Sequence, residues 1–369
     1  MNFNLSIKTR SQIQKIFWIT VAWTIVSVLE FGIGYATVLQ LNEQFNVPFP
    51  NELNPYILLR GNILTGIVAG IIGGSGITLL WEEWLRNKTY GQALLGIFLS
   101  YVLIFIIITL FRVFYFTNQF DFDFIGLRAM SPWERTWYFM TNIPNWINFV
   151  FWLLVVLGTL ILLQVNDKYG TGVFRAFLMG KYFRPKGEER IFMFLDLRSS
   201  TTIAERLGED KYFNFLNDVF KHATTGILHN QGEIYQYVGD EIVISWSMEK
   251  GIKNGHCIQC FFDVQIALRQ KWDYYQKKYG VQPEFKAGLH SGHVMAGEIG
   301  VVKRDIVFSG DVLNTSARIQ ARCNEMGVNL LLSEHLLNQL VLPPNTFNPK
   351  RIGEILLRGK QQKVVLFTL

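Results

Sequence analysis

The chain has 369 residues, which is enough for two or three domains, and half of these residues are hydrophobic while only 17% are charged. This composition and a mean hydropathy of +0.20 exclude a disordered chain and indicate contact with lipid. The net charge of +6 is mild and not clustered, so we do not expect nucleic acid as a partner. Cys257, Cys260 and Cys323 all lie in the second half of the chain, which we therefore expect to be reduced and cytosolic.

The first 165 residues contain four long apolar runs, each close to the roughly 20 residues that cross a bilayer. The predicted transmembrane helices cover residues 16–40, 57–81, 92–116 and 146–165. Basic residues cluster before the first run, between the second and third, and after the fourth, so the N-terminus and the C-terminal half face the cytosol. Residues 1–165 are thus predicted to be an all-α, multi-pass bundle of four spans in the inner (cytoplasmic) membrane, with the lipid bilayer as a partner.

Three ionisable residues lie within or at the edges of these predicted spans: Glu30, Arg60 and Arg112. Charge inside a membrane is costly, which makes a sensing role one hypothesis. A structural ion pair, or headgroup contacts for the two arginines, is the alternative. Gly66 and Gly70 belong to a small-residue face on the second span, which is typical of close helix packing, either within one bundle or between two copies.

After the fourth span the long apolar runs end, and predicted strands and helices alternate. Residues 166–189 form a predicted cytosolic connector, and residues 190–369 a second domain. Its first strand ends at Asp196, a helix follows, and a hairpin then turns at Gly239–Asp240. Strand, helix, hairpin, helix and strand in this order predict an α+β domain with the ferredoxin-like βαββαβ arrangement.

The later part of this domain has a predicted long helix over residues 254–279. We predict separate strands over residues 284–290 and 293–299, joined by a turn. His290 and His293 flank that turn, where we expect them to make structural hydrogen bonds.

Two acidic residues are expected to converge at one end of the sheet. The first strand and the hairpin are sheet neighbours in the predicted fold, which brings Asp196 near Asp240. Mg²⁺ takes one or two protein carboxylates and fills its remaining positions with water and substrate phosphates. Beside them, Ser199, Ser200 and Thr201 mark a helix start, where free backbone N–H groups attract phosphate. These residues together predict a site for magnesium and a phosphate-bearing substrate.

Asn314 and Arg318 lie four residues apart on a predicted helix and therefore share one of its faces. A guanidinium can stabilise the charge that develops on a transferring phosphoryl group, while an amide orients the attacking sugar. A solvated helix face is the alternative. Arg358 and Lys360 offer two more cations from a predicted hairpin turn, with plain solvation again as the alternative.

Four sequence blocks carry a family resemblance. FLDLRSST, YQYVGDEIV, GLHSGHVMAGEIG and SGDVLNTSARIQ resemble the catalytic core of class III nucleotidyl cyclases, over residues 188–369. The resemblance implies an enzyme, a phosphorus–oxygen lyase, with two Mg²⁺ ions per site held by Asp196, Asp240 and the Leu197 backbone carbonyl, and with Mn²⁺ able to substitute. It also implies that a ribose 3′-oxygen attacks the α-phosphorus of a nucleoside triphosphate and that pyrophosphate leaves.

The same resemblance implies roles for residues outside the metal site. Asn314 would orient the ribose, Arg318 would meet the transition-state phosphate, and Arg358 would grip the β- and γ-phosphates. Class III sites are shared between two catalytic domains that face each other head to tail. Because this chain carries both halves of the set, a homodimer is expected to hold two equivalent sites.

The base-reading positions depart from the family pattern. Adenylyl-type members use a lysine and an aspartate or threonine there, and guanylyl-type members use an acid and a cysteine. This chain has Gln236 and Val307 at those positions. The resemblance still favours ATP and hence an adenylate cyclase. The alternatives are a cyclase of GTP or of a pyrimidine triphosphate, or a silent signalling protein that binds nucleotide without turnover.

Overall fold

The chain folds into two compact units, Met1–Val165 and Asn166–Leu369. The computed structural model describes residues 7–45, 54–81, 90–119, 130–169, 180–302, 305–343, 346–356 and 363–369. Each unit has its own hydrophobic core.

The first unit is built from helices. They are α1 (Ile7–Phe45), α2 (Pro55–Ser75), which continues into a π-helical turn (Gly76–Trp81), α3 (Tyr90–Gln119), α4 (Pro132–Thr141) and α5 (Ile143–Tyr169). The core of this unit includes Trp23 of α1, Ala69 of α2, and Trp152 and Val156 of α5.

Three stretches of helix are long and apolar enough to cross a membrane: Gln12–Gln44, Pro55–Leu79 and Ile143–Val165. The sequence predicts four. The remaining predicted span, residues 92–116, lies within the 30-residue helix α3, where the described side chains include an apolar stretch over Phe98–Phe111.

Close contacts between helices explain the small and polar residues of the first unit. A Cβ atom on Gly66 would lie 2.7 Å from Thr24 Cα, and one on Gly70 would lie 2.5 Å from Thr20 Cα. The small-residue face of α2 therefore packs against α1 of the same chain. Glu30 on α1 accepts hydrogen bonds from the Asn148 amide and from Trp152 Nε1, the latter at 3.2 Å, so its carboxylate connects α1 to α5.

The second unit is built around one mixed sheet flanked by helices. Its strands are β1 (Lys186–Leu197), β2 (Glu233–Val238), β3 (Glu241–Ser247), β4 (Phe285–Ile299), β5 (Asp305–Ser309), β6 (Leu330–Ser333), β7 (Lys350–Leu356) and β8 (Lys363–Thr368). Its helices are α6 (Ser200–Leu207), α7 (Glu209–His229), α8 (Met248–Ile252) with a 3₁₀ turn (Lys253–Gly255), α9 (His256–Arg269), α10 (Trp272–Tyr279), α11 (Asp311–Ala321) and α12 (Glu334–Leu337).

The strand order in space is β2-β3-β1-β4-β6-β8-β7, with β5 pairing to β4. β1 lies between β3 and β4 and is antiparallel to both, whereas β4 and β6 are parallel. The first four strands, β2-β3-β1-β4, with α6 and α7 after β1 and α8 to α10 after β3, have the ferredoxin-like arrangement. The predicted fold class of this domain is thus confirmed.

Two local predictions in this unit are wrong. The strand predicted to break near Gly292 is one continuous strand, β4, and His290 and His293 lie inside it. The reason is its partner: β1 pairs with β4 along its whole length, from Lys186 opposite Ala296 to Leu197 opposite Phe285. The helix predicted over residues 254–279 is also divided, into α9 and α10.

The alternation of side chains along β1 assigns each residue to a face of the sheet. Ile191, Met193 and Leu195 belong to the large core that includes residues of α7 and α9. Phe192 and Phe194 belong instead to a smaller cluster that includes Val312 of α11. By the same alternation Asp196 lies on the α11 face, where it is not covered by the main core.

One glycine permits the close approach of α11 to the sheet. A Cβ atom on Gly288 of β4 would lie 2.5 Å from the Ser316 carbonyl oxygen and would also overlap the Gln320 backbone nitrogen. Neither backbone atom can move without displacing the helix.

We therefore expect Gly288→Ala to destabilise the protein by about 1–3 kcal/mol, since it overpacks a backbone contact. Thermal unfolding of the full chain, followed by differential scanning calorimetry, measures the effect. The matched control is Gly297→Ala on the same strand, whose Cβ atom would meet Pro185 at an ordinary 3.4 Å. Equal stability of the two variants would contradict this account of the β4–α11 contact.

Candidate active site

The two predicted aspartates lie side by side at one end of the sheet. Asp196 pairs with Glu241 in the β1–β3 register, and Asp240 immediately precedes Glu241 in the β2–β3 turn. Gly239 in that turn has φ +61°, a conformation that glycine adopts without strain. The two carboxyl groups are close enough to share a hydrogen bond. The β1–β3 pairing and the β2–β3 turn thus bring together the two acidic residues that the sequence predicts to converge.

Asp196 is held by two further side chains. The Lys286 ammonium on β4 lies 2.9 Å from Asp196 Oδ2, and the Gln320 amide on α11 donates to the same oxygen at 2.8 Å. Burial raises the pKa of Asp196 above its ordinary value, Lys286 opposes this, and the neighbouring Asp240 carboxylate raises the pKa further. The Asp196 carboxylate is therefore fixed in position, and its ionised form is stabilised by a nearby positive charge.

Glu241 and Tyr212 complete the surroundings of the acidic pair. Burial raises the pKa of Glu241 to about 7, and the charges of Asp196 and Asp240 add to the effect. Burial, together with the same two charges, also raises the pKa of Tyr212 on α7, whose hydroxyl hydrogen-bonds the Ser200 side chain. This contact places Ser200, one of the predicted phosphate-binding residues, beside the carboxylates.

The loop after β1 contains the three residues that the sequence predicts to bind phosphate. Ser199 has φ +55°, which is uncommon for a residue with a side chain. Helix α6 begins at the next residue, Ser200, and Thr201 is exposed. Leu197 is 1% exposed and belongs to the main core, so only its main chain is available to the site.

The acidic pair suits Mg²⁺. In the described residues no group of three or more His, Cys, Asp or Glu side chains is placed to hold a metal, and Mg²⁺ does not need one, because it binds through one or two carboxylates plus substrate phosphates and water. Asp196 and Asp240 offer hard oxygen donors that repel each other. A divalent cation would relieve this repulsion.

Asn314 and Arg318 both lie on α11, the helix that also carries Gln320. Asn314 is exposed and Arg318 is half-buried. Within the described part of the chain, no hydrogen bond or ion pair joins either residue to Asp196 or Asp240. One chain therefore brings the acidic pair together but leaves the amide and the guanidinium apart from it.

Gln236 and Val307 each lie next in sequence to a member of one aromatic cluster on the α11 face. Gln236 is exposed on β2 and follows Tyr235, while Val307 is half-buried on β5 and precedes Phe308. The rings of Tyr235 and Phe308 are 5.1 Å apart, and the Phe308 N–H donates to the Tyr235 hydroxyl at 3.3 Å. The cluster thus joins β2 to β5. Because side chains alternate along β5, Val307 lies on the face of the sheet opposite to Phe308.

A buried arginine that the sequence pattern does not identify supports this cluster. The side chain of Arg190 on β1 is 4% exposed, and its guanidinium lies 4.6 Å from the ring centre of Phe308. It pairs with Glu188 at 3.2 Å and with Glu233 of β2. Arg190 thereby fixes Phe308 next to Val307.

The predicted cations Arg358 and Lys360 lie outside the described residues. Lys286 and Gln320 are contacts of Asp196 that the sequence analysis missed. Lys286 had a partial signal, since it stands in the strand predicted over residues 284–290. Gln320 had none, because its reach toward Asp196 depends on the packing of α11.

The raised pKa of Glu241 predicts a pH-dependent stability difference. The folded protein holds the Glu241 proton more tightly than the unfolded chain, so this contribution to stability is lost as pH rises from about 4.5 to about 7. We expect Glu241→Gln to unfold at a higher temperature than the unchanged protein at pH 8 and at the same temperature at pH 4.5, both in EDTA. The exposed Glu249 supplies the control, Glu249→Gln. A pH-independent difference at Glu241 would overturn the assignment.

Comparison with known proteins identifies the family to which the second unit belongs. The adenylate and guanylate cyclase catalytic domain family matches residues 185–369. The chain is 35% identical over 224 residues to adenylate cyclase 2 of Rhizobium meliloti, covering 60% of this chain and 61% of that protein. It is 25% identical over 185 residues to an adenylate cyclase of Anabaena cylindrica, covering 47% of this chain and 35% of the relative. The chain thus spans less than two thirds of the length of these relatives.

A solved structure of a bacterial light-regulated adenylyl cyclase has the same fold, with a TM-score of 0.52 and 20% identity over 62% of this chain and 66% of that one. The match of the catalytic domain family covers half of the chain and includes both aspartates. The chain therefore belongs to the class III nucleotidyl cyclase family.

Proposed function

We propose that this protein is a membrane-anchored adenylate cyclase that converts ATP to 3′,5′-cyclic AMP and pyrophosphate at sites shared by two chains of a homodimer. The observation that carries the proposal is the adjacent pair Asp196 and Asp240 at the end of β1 and in the β2–β3 turn. In a chain of the cyclase family this pair is the natural place for the metal-loaded triphosphate.

The chemistry follows from the residues around the pair. Mg²⁺, held by Asp196, Asp240 and the Leu197 carbonyl, would offset charge on the attacking and leaving oxygens. Lys286 and Gln320 keep Asp196 oriented, so the site needs little rearrangement when substrate arrives.

The remaining residues act on the nucleotide. Asn314 orients the ribose so that its 3′-oxygen faces the α-phosphorus. As this oxygen forms its bond to phosphorus, the bond to the pyrophosphate oxygen breaks, and Arg318 neutralises the charge that develops. Backbone N–H groups at Ser199, Ser200 and Thr201 favour the phosphates, and Arg358 and Lys360 supply further cations for the β- and γ-phosphates.

A shared site explains why one chain separates these groups. Asp196 and Asp240 lie together, whereas neither contacts Asn314 or Arg318 in the described part of the same chain. A two-fold axis would place the α11 residues of one chain opposite the carboxylates of the other and would create two equivalent sites.

This arrangement predicts complementation. Asp196→Ala and Arg318→Ala should each lose at least about 100-fold in activity. When the two variants are co-expressed, each mixed dimer has one intact site of two, so purified mixed dimers should show about half of the activity of the unchanged dimer. Cyclic nucleotide formation by affinity-purified mixed dimers is the measurement. Asp196→Ala with Asp240→Ala is the matched control, which should not recover because both changes fall in the same half-site. Inactive Asp196→Ala/Arg318→Ala mixed dimers would exclude a shared site.

ATP is the proposed substrate because both relatives described above are adenylate cyclases. Gln236 can donate and accept hydrogen bonds, so it can meet the adenine edge, while Val307 contributes only shape. Gln236 is exposed on β2, which supports a role for this residue in base selection.

Base selection is testable through Gln236. Turnover of ATP, GTP, CTP and UTP should be highest with ATP under both Mg²⁺ and Mn²⁺. Gln236→Glu, which removes the amide donor, should lower the ATP-to-GTP ratio of kcat/KM at least about fivefold. Gln276→Glu, the same change at an exposed position of α10, should leave the ratio unchanged. A preference for another triphosphate would correct the substrate, and absence of any pyrophosphate release would support a silent nucleotide-binding protein instead.

Anchoring in the inner membrane is the second part of the proposal. It is supported by the three helical stretches long and apolar enough to cross a bilayer. The basic residues that flank the predicted spans place the catalytic unit in the cytosol, where its buried cysteines stay reduced.

A further inference from the structure

The helices of the first unit enclose a cavity of about 610 Å³. Its walls come mainly from α2, the π-helical turn and α3, and its floor includes Trp23 of α1 and Trp152 and Val156 of α5. Ligand sites in proteins have volumes of roughly 300–1,000 Å³. The cavity is therefore large enough to hold a ligand, and no role of the catalytic unit uses it.

The cavity offers a hydrocarbon surface. Ile72, Ile77, Ile104 and Ile108 are among the residues that line it, and none of the lining residues that the structure describes is charged. Several of the polar side chains that reach the lining already have partners within the helices. Thr65 donates to the Gly61 carbonyl at 2.8 Å, Tyr101 donates to the Phe149 carbonyl, and Trp152 donates to Glu30 at 3.2 Å. The lining therefore selects against a charged or strongly polar group.

The backbone keeps this space open. Helix α2 changes to π-helical geometry at Gly76–Trp81, and such turns are rare and concentrate at functional sites. Gly76 lines the cavity, and a Cβ atom there would meet only Ile104 Cδ1, at 3.9 Å. An apolar cavity that stays empty costs stability because its lining loses dispersion contacts. A bound apolar group would restore these contacts.

The cavity also has an entrance. Leu79 is 52% exposed and Leu103 is 59% exposed, although both line the cavity. They lie at its outer edge, on helices whose apolar surface is suited to lipid. A molecule dissolved among lipid chains can therefore reach the cavity from the side.

We propose that this cavity binds one long hydrocarbon chain, the acyl chain of a membrane lipid or of a fatty acid. Hydrocarbon matches the uncharged lining, and the bilayer around the helices is its source. A charged head group would remain outside, because none of the described lining residues is charged. The two wall residues Asn148 and Trp152 already donate their hydrogen bonds to the Glu30 carboxylate. The proposal concerns the first unit alone and does not depend on which nucleotide the second unit cyclises.

Photocrosslinking of the full chain in phosphatidylcholine nanodiscs tests the proposal. One arm contains phosphatidylcholine with a diazirine in its acyl chain, and the other contains a diazirine-bearing palmitic acid, which distinguishes the two sources. Mass spectrometry should find labels on lining residues of both α2 and α3, such as Ile72 and Ile108, in at least one arm. Labels on the exposed Leu29 of α1 report ordinary contact with the bilayer.

Gly76→Leu extends a side chain into the cavity and should lower labelling of Ile72 and Ile108 at least fivefold while labelling of Leu29 is unchanged. Gly34→Leu is the matched control: it adds the same side chain on α1, where no atom lies within 4 Å of the new Cβ, and should change neither. Native mass spectrometry of the unchanged protein, which should retain about one lipid or fatty acid per chain, keeps the test valid if Gly76→Leu misfolds.

Labels on Leu29 but none on Ile72 or Ile108 in both arms would overturn the proposal and indicate that another protein segment, such as a helix of a second copy, fills the space. Equal labelling of the cavity residues in the Gly76→Leu and Gly34→Leu variants would overturn it as well.

Discussion

The pairing of β1 with both β3 and β4 is the constraint on which the catalytic unit depends. It places Asp196 opposite Glu241 on one side and opposite Lys286 on the other. Three carboxyl groups, those of Asp196, Asp240 and Glu241, are thereby concentrated at one sheet end, with the Lys286 ammonium as a nearby cation. The resulting concentration of negative charge is the feature that suits this end of the sheet to a divalent cation.

Helix α11 connects this site to the rest of the α11 face. Gly288 lets the helix come close enough for Gln320 to reach Asp196, and Val312 packs in the same cluster as Phe192. Asn314 and Arg318 are carried by the same helix without contacting the acidic pair of the described chain. The position of α11 thus fixes one contact of Asp196 directly, through Gln320, and presents Asn314 and Arg318 on the same helix.

Local sequence patterns predicted the features that follow from the order of strands and helices. They failed for features that depend on contacts with residues far along the chain. The nearness of Asp196 and Asp240 follows from strand order alone, since β1 and the β2–β3 hairpin are neighbours in the ferredoxin-like arrangement. The false turn at His290–His293 shows the opposite case, because the long β1 strand keeps β4 extended past Gly292. Gln320 and the contacts of Arg190 with Glu233 and Phe308 were missed for a related reason. These partners lie far along the chain, and no spacing within one element reveals them.

The position of Arg190 has a consequence for the mobility of β2. This strand lies at the margin of the sheet and carries Gln236, and edge strands ordinarily fray. Detaching β2 would remove Glu233 from Arg190 and leave the buried guanidinium with Glu188 as its carboxylate partner, which is unfavourable. The β2 amide protons that bond to β3 should therefore exchange more slowly than those of an edge strand that lacks such an ion pair.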